Sequence, residues 1–257
     1  MLHDPFDSHL HTTRSACGED ITDEWLTARA RANGCTFAVT DHAMHLYYEP
    51  EIAWAMMSDN GIQLFMERRQ SGRDTIRRYL DDIRACDAPN MLVGVEMDVL
   101  PDGQIMFPDD LRGEVDLLVG ATHFLPTIKR KAGQAEVEAQ FRQQTQWLLE
   151  YGVDTLAHPF RIILGAGYAA DDALVHWTVD LAAEHGTALE INSHKVFPEH
   201  DVQMVKLAVA QGVRISLGTD AHNSREFGDF TYHEDILRAA GLDEAAMQEI
   251  LFRPNNK

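Results

Sequence analysis

Basic residues are scarce in this chain: 22 lysines and arginines stand against 41 aspartates and glutamates in 257 residues, for a formal net charge of −19. Such a field repels polyanions. Affinity for a nucleic-acid backbone depends on lysine and arginine displacing condensed counterions, so no long nucleic acid is expected as a partner. Cysteine is equally sparse. Cys17, Cys35 and Cys86 are odd in number and show no CxxC spacing, which argues against a disulfide scaffold and for reduced thiols in a cytoplasmic protein. No apolar run approaches ~18 residues, and the opening MLHDPFDSHLHTT lacks a basic flank followed by an apolar stretch, so no membrane span and no secretory leader are expected. Low-complexity tracts and internal periods are missing too, which excludes a solenoid.

What remains is a globular composition, 45% apolar and 25% charged. The length suits one α/β barrel, so residues 1–257 are read as a single domain. Short apolar runs alternate with helix-like segments. Strand candidates are Phe6–His11, Cys35–Thr40, Met91–Glu96, Asp116–Thr122, Val153–Ala157, Ala188–Asn192 and Val213–Thr219. Helix candidates are Thr22–Gly34, with Trp25, Leu26, Ala28 and Ala32 facing inward, then Ile62–Ala85, Ala135–Tyr151, Ala170–His185 and Glu199–Gln211, with Glu226–Ala240 and Asp243–Phe252 closing the chain. The Asp-Gly of LPDGQ predicts a small hairpin over 97–107, a break in the alternation. Apolar strands separated by amphipathic helices indicate a parallel sheet, and seven units rather than eight indicate a distorted barrel.

Eight metal-capable side chains fall at the ends of these runs: His9 and His11 in DSHLH, His42 in TDH, Glu96 in GVEMD, His123 in ATHF, His158 in AHPF, and Asp220 and His222 in GTDAH. A parallel barrel gathers the carboxyl ends of its strands at one mouth, where such residues can share cations. HxH on a strand puts both imidazoles on one face. Alone it is a weak signal. The same parity in Asp220-Ala221-His222 strengthens it. Blander readings exist for each residue: His42 beside a helix-capping Asp41, Glu96 as an ion-paired rim residue, His123 and His158 as satisfied core histidines. A carboxylate can, however, bridge two cations where imidazole cannot, and histidines after runs as apolar as LLVGAT would be costly to bury unpaired.

In the order HxH, TDH, E, H, HP, DxH, the chain resembles the PHP (polymerase and histidinol phosphatase) family of metal-dependent phosphoesterases, from about Asp7 to His222, and in particular small members similar to histidinol-phosphatase. The resemblance implies a distorted (β/α)7 TIM-like barrel with two or three divalent ions, zinc, iron or manganese, at the C-terminal ends of the strands. By analogy His9, His11, Glu96 and Asp220 hold the first ion. Glu96, His123 and His158 hold the second, and a third lies between His42, His222 and a ligand in the loop after HxH. Many relatives carry His or Asp six residues after the second histidine; this chain carries Cys17, whose thiolate would favour zinc, with Glu19 or Asp20 as substitutes.

The implied reaction is hydrolysis of a small phosphate monoester by a metal-bridging hydroxide. Arg161 and Lys195 are the candidate phosphate contacts, Asp41 the orienter of a ligand histidine, and His194 the proton donor to the leaving group. Histidinol phosphate, sugar phosphates and nucleoside monophosphates are all candidate metabolites. A phosphodiesterase or 3′-5′ exonuclease on short oligonucleotides is the nearest alternative, and a non-catalytic metal-binding module is another. An amidohydrolase would want a bridging lysine on a middle strand, and no lysine stands there. The segment 43–60, with Tyr47, Tyr48, Trp54, Met56 and Met57, is read as a lid or specificity insertion or else a packed helix. Lys129, Arg130 and Lys131 in the loop Phe124–Glu136 can steer an anion or form a solvated turn. Oligomeric state is left open.

Overall fold

A computed structural model describes residues 2–33, 36–48, 60–86, 88 and 90–254. Its strands are β1 (Phe6–Asp7), β2 (Thr36–Val39), β3 (Met91–Asp98), β4 (Leu117–Ala121), β5 (Thr155–Leu156), β6 (Ala188–Asn192) and β7 (Ile215–Gly218). They close in chain order into a barrel, every neighbouring pair parallel, with β1 returning to β7. The strands β4, β6 and β7 are buried along their whole length, as expected of strands covered on one side by helices and on the other by the barrel interior.

The covering helices are α1 (Asp23–Asn33), α2 (Ala43–Tyr47), α3 (Gly61–Ala85), α4 (Pro126–Lys129), α5 (Gln134–Tyr151), α6 (Arg161–Gly165), α7 (Asp172–His185), α8 (Pro198–Gln211), α9 (Thr231–Ala239) and α10 (Glu244–Ile250). Glycines at positive φ, Gly152 (86°), Gly186 (69°) and Gly212 (72°), stop α5, α7 and α8 and turn the chain toward β5, β6 and β7. At the other ends, the side chains of Asp171 and Asp243 cap α7 and α10 by accepting the N–H of Leu174 and Ala246.

The expected strands all form: β6 keeps its expected bounds, β3 runs two residues further, to Asp98, and the others are shorter. β1 ends at Asp7, after which Leu10 bridges Ala221, so the HxH histidines sit where the ladder opens. Between β3 and β4 the chain makes the expected hairpin, Val99 opposite Ile105, and then a 3-10 turn over Asp109–Glu114. Two readings are corrected, and Tyr47 and Tyr48 fit the packed alternative for their segment. Ala28 is exposed rather than inward. The first closing helix begins at Thr231, because Glu226 turns back to accept the backbone N–H of His222. Tyr47 and Tyr48 are buried, Tyr47 packing on Phe65 with ring centroids 5.0 Å apart, so these two aromatics belong to the core under α3. Trp54, Met56 and Met57 lie outside the described residues, as does Cys35. Among the described residues no helix is long and apolar enough to cross a membrane.

The interior is divided. In the β3–β4 register Gly94, Glu96 and Asp98 lie beside Leu117, Val119 and Ala121, so these six share the inner face. Part of this face is apolar: Phe6, Ala38, Leu117, Val119, Ala121 and Ala157 pack together, with Leu92 and Phe252 against them. Leu251 bridges Ile215 and the Phe252 N–H donates to the Ile215 carbonyl at 2.7 Å, which carries Phe252 to that floor. Toward the strand ends the same face turns polar.

Candidate metal centre

Glu96 occupies the middle of the polar end, fully buried. Its two carboxylate oxygens divide the histidines between them. Oε2 stands 3.5 Å from His9 Nε2, 3.6 Å from His11 Nε2 and 2.5 Å from His42 Nδ1. Oε1 stands 3.1 Å from His158 Nε2 and 3.5 Å from His123 Nε2. Asp220 closes the first group, its Oδ1 being 3.0 Å from His11 Nε2 and 3.6 Å from His9 Nε2. Several triads have donor atoms all within 4.8 Å of one another, among them His9–His11–Glu96, His9–His158–Asp220, His11–Asp220–His222, His42–Glu96–His123 and His11–Cys17–His42. All nine residues expected to ligate metal therefore meet at one mouth.

The donor set suits divalent cations. His9 Nε2 is buried without a hydrogen-bond partner, a costly state that a cation would relieve. Burial and the neighbouring His42 hold the His11 imidazole well below its usual pKa, and burial with Arg161 does the same to His158, so both keep a lone pair to offer. Burial opposes ionisation of Glu96, but the histidines around it outweigh that and hold its pKa well below the carboxylate norm.

Second partners fix the rings. His9 Nδ1 donates to Glu190 Oε1 at 2.8 Å, and His123 Nδ1 to Asp98 Oδ1 at 2.8 Å, each leaving Nε2 aimed at Glu96. Burial disfavours the imidazolium in both, yet Glu190, Asp220 and Glu96 raise the pKa of His9 well above normal, and Asp98 and Glu96 raise that of His123. Glu190 also accepts the His158 backbone N–H at 2.7 Å and the Asn192 amide at 3.0 Å. The backbone beside it is strained. His158 and Asp220 have φ of 30° and 50°, a conformation costing about 1–3 kcal/mol for a non-glycine residue, and Asp220 is held there by its N–H to His9 O at 2.9 Å.

Sequence reasoning overlooked Glu190 and Asp98. Both have a signal: they share parity with site-facing residues, Glu190 with Asn192 on β6 and Asp98 with Glu96 on β3, and a charge inside an apolar strand needs a partner. Asp41 is corrected. Its carboxylate accepts from Thr12 N and Oγ1 and from Ser15 Oγ, at 2.8, 2.7 and 2.6 Å, and reaches no histidine directly. Ser15 Oγ intervenes, 3.4 Å from His11 Nδ1.

Above the cluster opens a cavity of about 450 Å³ walled by His123, Arg161, His194, Lys195, Asp220 and His222. Arg161 begins α6, and its Nη1 donates to Asp220 Oδ2 at 2.6 Å. His194 and Lys195 are exposed on the rim, with the His194 ring 4.4 Å from that of His222. The Arg130 guanidinium is exposed and pairs with Glu136, as a solvated turn would have it.

Residues 7–194 match the PHP domain. The DNA polymerase/3′-5′ exonuclease PolX of Bacillus subtilis is 29% identical over 87% of this chain, which spans 35% of that polymerase. A probable phosphatase of Shewanella pealeana is 26% identical over 91% of this chain and 84% of its own length. Among solved structures, histidinol phosphate phosphatase from Lactococcus lactis, complexed with zinc, L-histidinol and phosphate, shares the fold: TM-score 0.53 at 14% identity, covering 93% of this chain and 95% of that one. Barrel, strand-end cluster and domain match agree, and the chain belongs to the PHP domain family.

Proposed function

We propose that this protein is a metal-dependent phosphoesterase that hydrolyses a small phosphate monoester at the barrel mouth. The observation that carries this reading is the division of Glu96, one oxygen toward His9, His11 and His42 and the other toward His123 and His158, beneath a cavity edged by Arg161. His9, His11, Glu96 and Asp220 would hold one cation and Glu96, His123 and His158 a second, with His42, His222 and Cys17 serving a third. Bound there, such ions lower the pKa of water and offset charge on phosphoryl oxygens.

The chain's own groups do the rest. Arg161 is held by Asp220 with part of its guanidinium fork turned to the cavity, a shape that suits a phosphate dianion. Lys195 adds a positive charge at the rim. His194, beside it, would give a proton to the departing alkoxide. Asp98 and Glu190 keep their histidines in one tautomer throughout. The cavity volume fits a metabolite, and the charge of −19 disfavours a polymer.

The likeness to the polymerase-exonuclease supports a second reading, cleavage of phosphodiesters in short oligonucleotides. Hydrolysis of p-nitrophenyl phosphate but not of bis(p-nitrophenyl) phosphate, by protein of measured metal content, is the expected result. Activity on the diester alone would replace the first reading with the second. No activity on either, with metal bound, would leave a binding module.

A further inference from the structure

The loop between the HxH histidines and α1 is fastened more tightly than a connection requires. It closes on itself through Ser15 N to Thr12 O at 3.0 Å and Gly18 N to Ser15 O at 2.9 Å, and a β-carbon on Gly18 would overlap the Thr12 carbonyl. It is then fastened on both sides of Cys17. The Ala16 N–H donates to His45 Nδ1 at 3.0 Å, and the Glu19 N–H donates to the His222 carbonyl at 2.8 Å. His45 is buried on α2, one turn beyond His42, with the two ring centroids 4.7 Å apart. One short helix and its N-cap residue thus carry both a candidate ligand and the acceptor that fixes the loop. Between the two fastenings Cys17 Sγ lies within 4.8 Å of ring nitrogens of His11 and His42. Beneath this corner, Glu96 is wholly buried with Oε2 turned toward the same two histidines.

Resting on the metal centre proposed above, we infer that His45 is a positioning residue that holds Cys17 beside His42 at the corner of the third proposed cation, making it a thiolate-bearing site for a thiophilic cation such as zinc. The centre then sorts its ions. Glu96, His123 and His158 offer oxygen and nitrogen alone, a set that iron or manganese also accepts, whereas sulfur selects the softer metal. On binding, the thiol proton leaves to solvent and the S–metal bond takes its place.

Cobalt(II) added to metal-stripped protein tests this without relying on activity, because a cysteine thiolate on cobalt gives a strong near-ultraviolet charge-transfer band. The band is expected in the wild type and absent in Cys17→Ser. His45→Phe keeps a ring but removes the acceptor, and should need about 10- to 100-fold more cobalt for the same band, the usual cost of losing an outer partner. His45→Asn, whose carbonyl can take the Ala16 N–H, should restore most of it. An unchanged cobalt midpoint in His45→Phe, or a wild-type spectrum without a thiolate band, overturns the inference. Circular dichroism on the same samples excludes unfolding as the cause. A band without phosphomonoesterase activity would remove the proposed function and leave this site standing; activity without the band would do the reverse.

Discussion

Glu190 and Gly218 face each other across β6 and β7 so closely that a methyl group on the glycine would overlap Glu190 Oε1, the atom that accepts the His9 Nδ1 proton. The orientation of a candidate ligand on β1 therefore depends on the absence of a side chain on β7. Gly218→Ala should push Glu190 aside and release the His9 ring, and Glu190→Gln should weaken the same hold without steric conflict. Each is expected to lower metal affinity about 10- to 100-fold. Metal titration followed by calorimetry checks this; wild-type affinity in both variants would show that Glu190 is not an orienting partner.

Glu96→Gln keeps volume and removes the charge shared by five histidines. Phosphatase activity should fall at least about 100-fold and bound metal should drop, as read by elemental analysis of the purified variant. Full activity with a full metal complement would displace Glu96 from the centre of the proposal.

Much of the candidate site was legible because strand parity is rigid. HxH and DxH each put two side chains on one face, and Glu96 ends an apolar run where a charge needs a reason. The partners behind the ligands were harder to see. Glu190 lies inside β6, where its parity with Asn192 is a faint signal that the register of the neighbouring strands makes plain. Asp41 misled because its place next to His42 suggests contact, whereas the chain turns it toward Thr12 and Ser15. His45 was invisible for another reason: its partner is a backbone N–H, which no side-chain pattern reveals.

Removing metal should cost stability as well as activity. A cation that binds only the folded chain contributes about 4 kcal/mol when present at a thousand times its Kd. Chelation should therefore lower the melting temperature, and re-addition of zinc or manganese should restore it, by differential scanning calorimetry. A melting temperature indifferent to chelator would mean that no tightly held ion supports the mouth.

Asp201 offers a test of pH dependence away from the ligands. Burial pushes its carboxyl up to about 6, although the Tyr232 hydroxyl donates to it at 2.5 Å. The folded chain thus keeps a proton that the unfolded chain has already released. Stability should fall as pH rises from about 4 to about 6 and level off above, by about 1–3 kcal/mol for this group. Asp201→Asn cannot titrate and should show a correspondingly flatter melting profile across that window. An identical slope in the variant would assign the dependence to other groups.

Phe252 reaches the inner floor from beyond α10, so the barrel behaves as a stoppered cup: the seal and the chemistry lie at opposite ends of the same strands. Water admitted by loss of that one ring would screen the attraction between the carboxylate and its histidines without touching any of them, and so loosen the cluster from a distance. The two ends can also be altered separately, because no residue of the apolar floor is among those that meet Glu96 at the mouth.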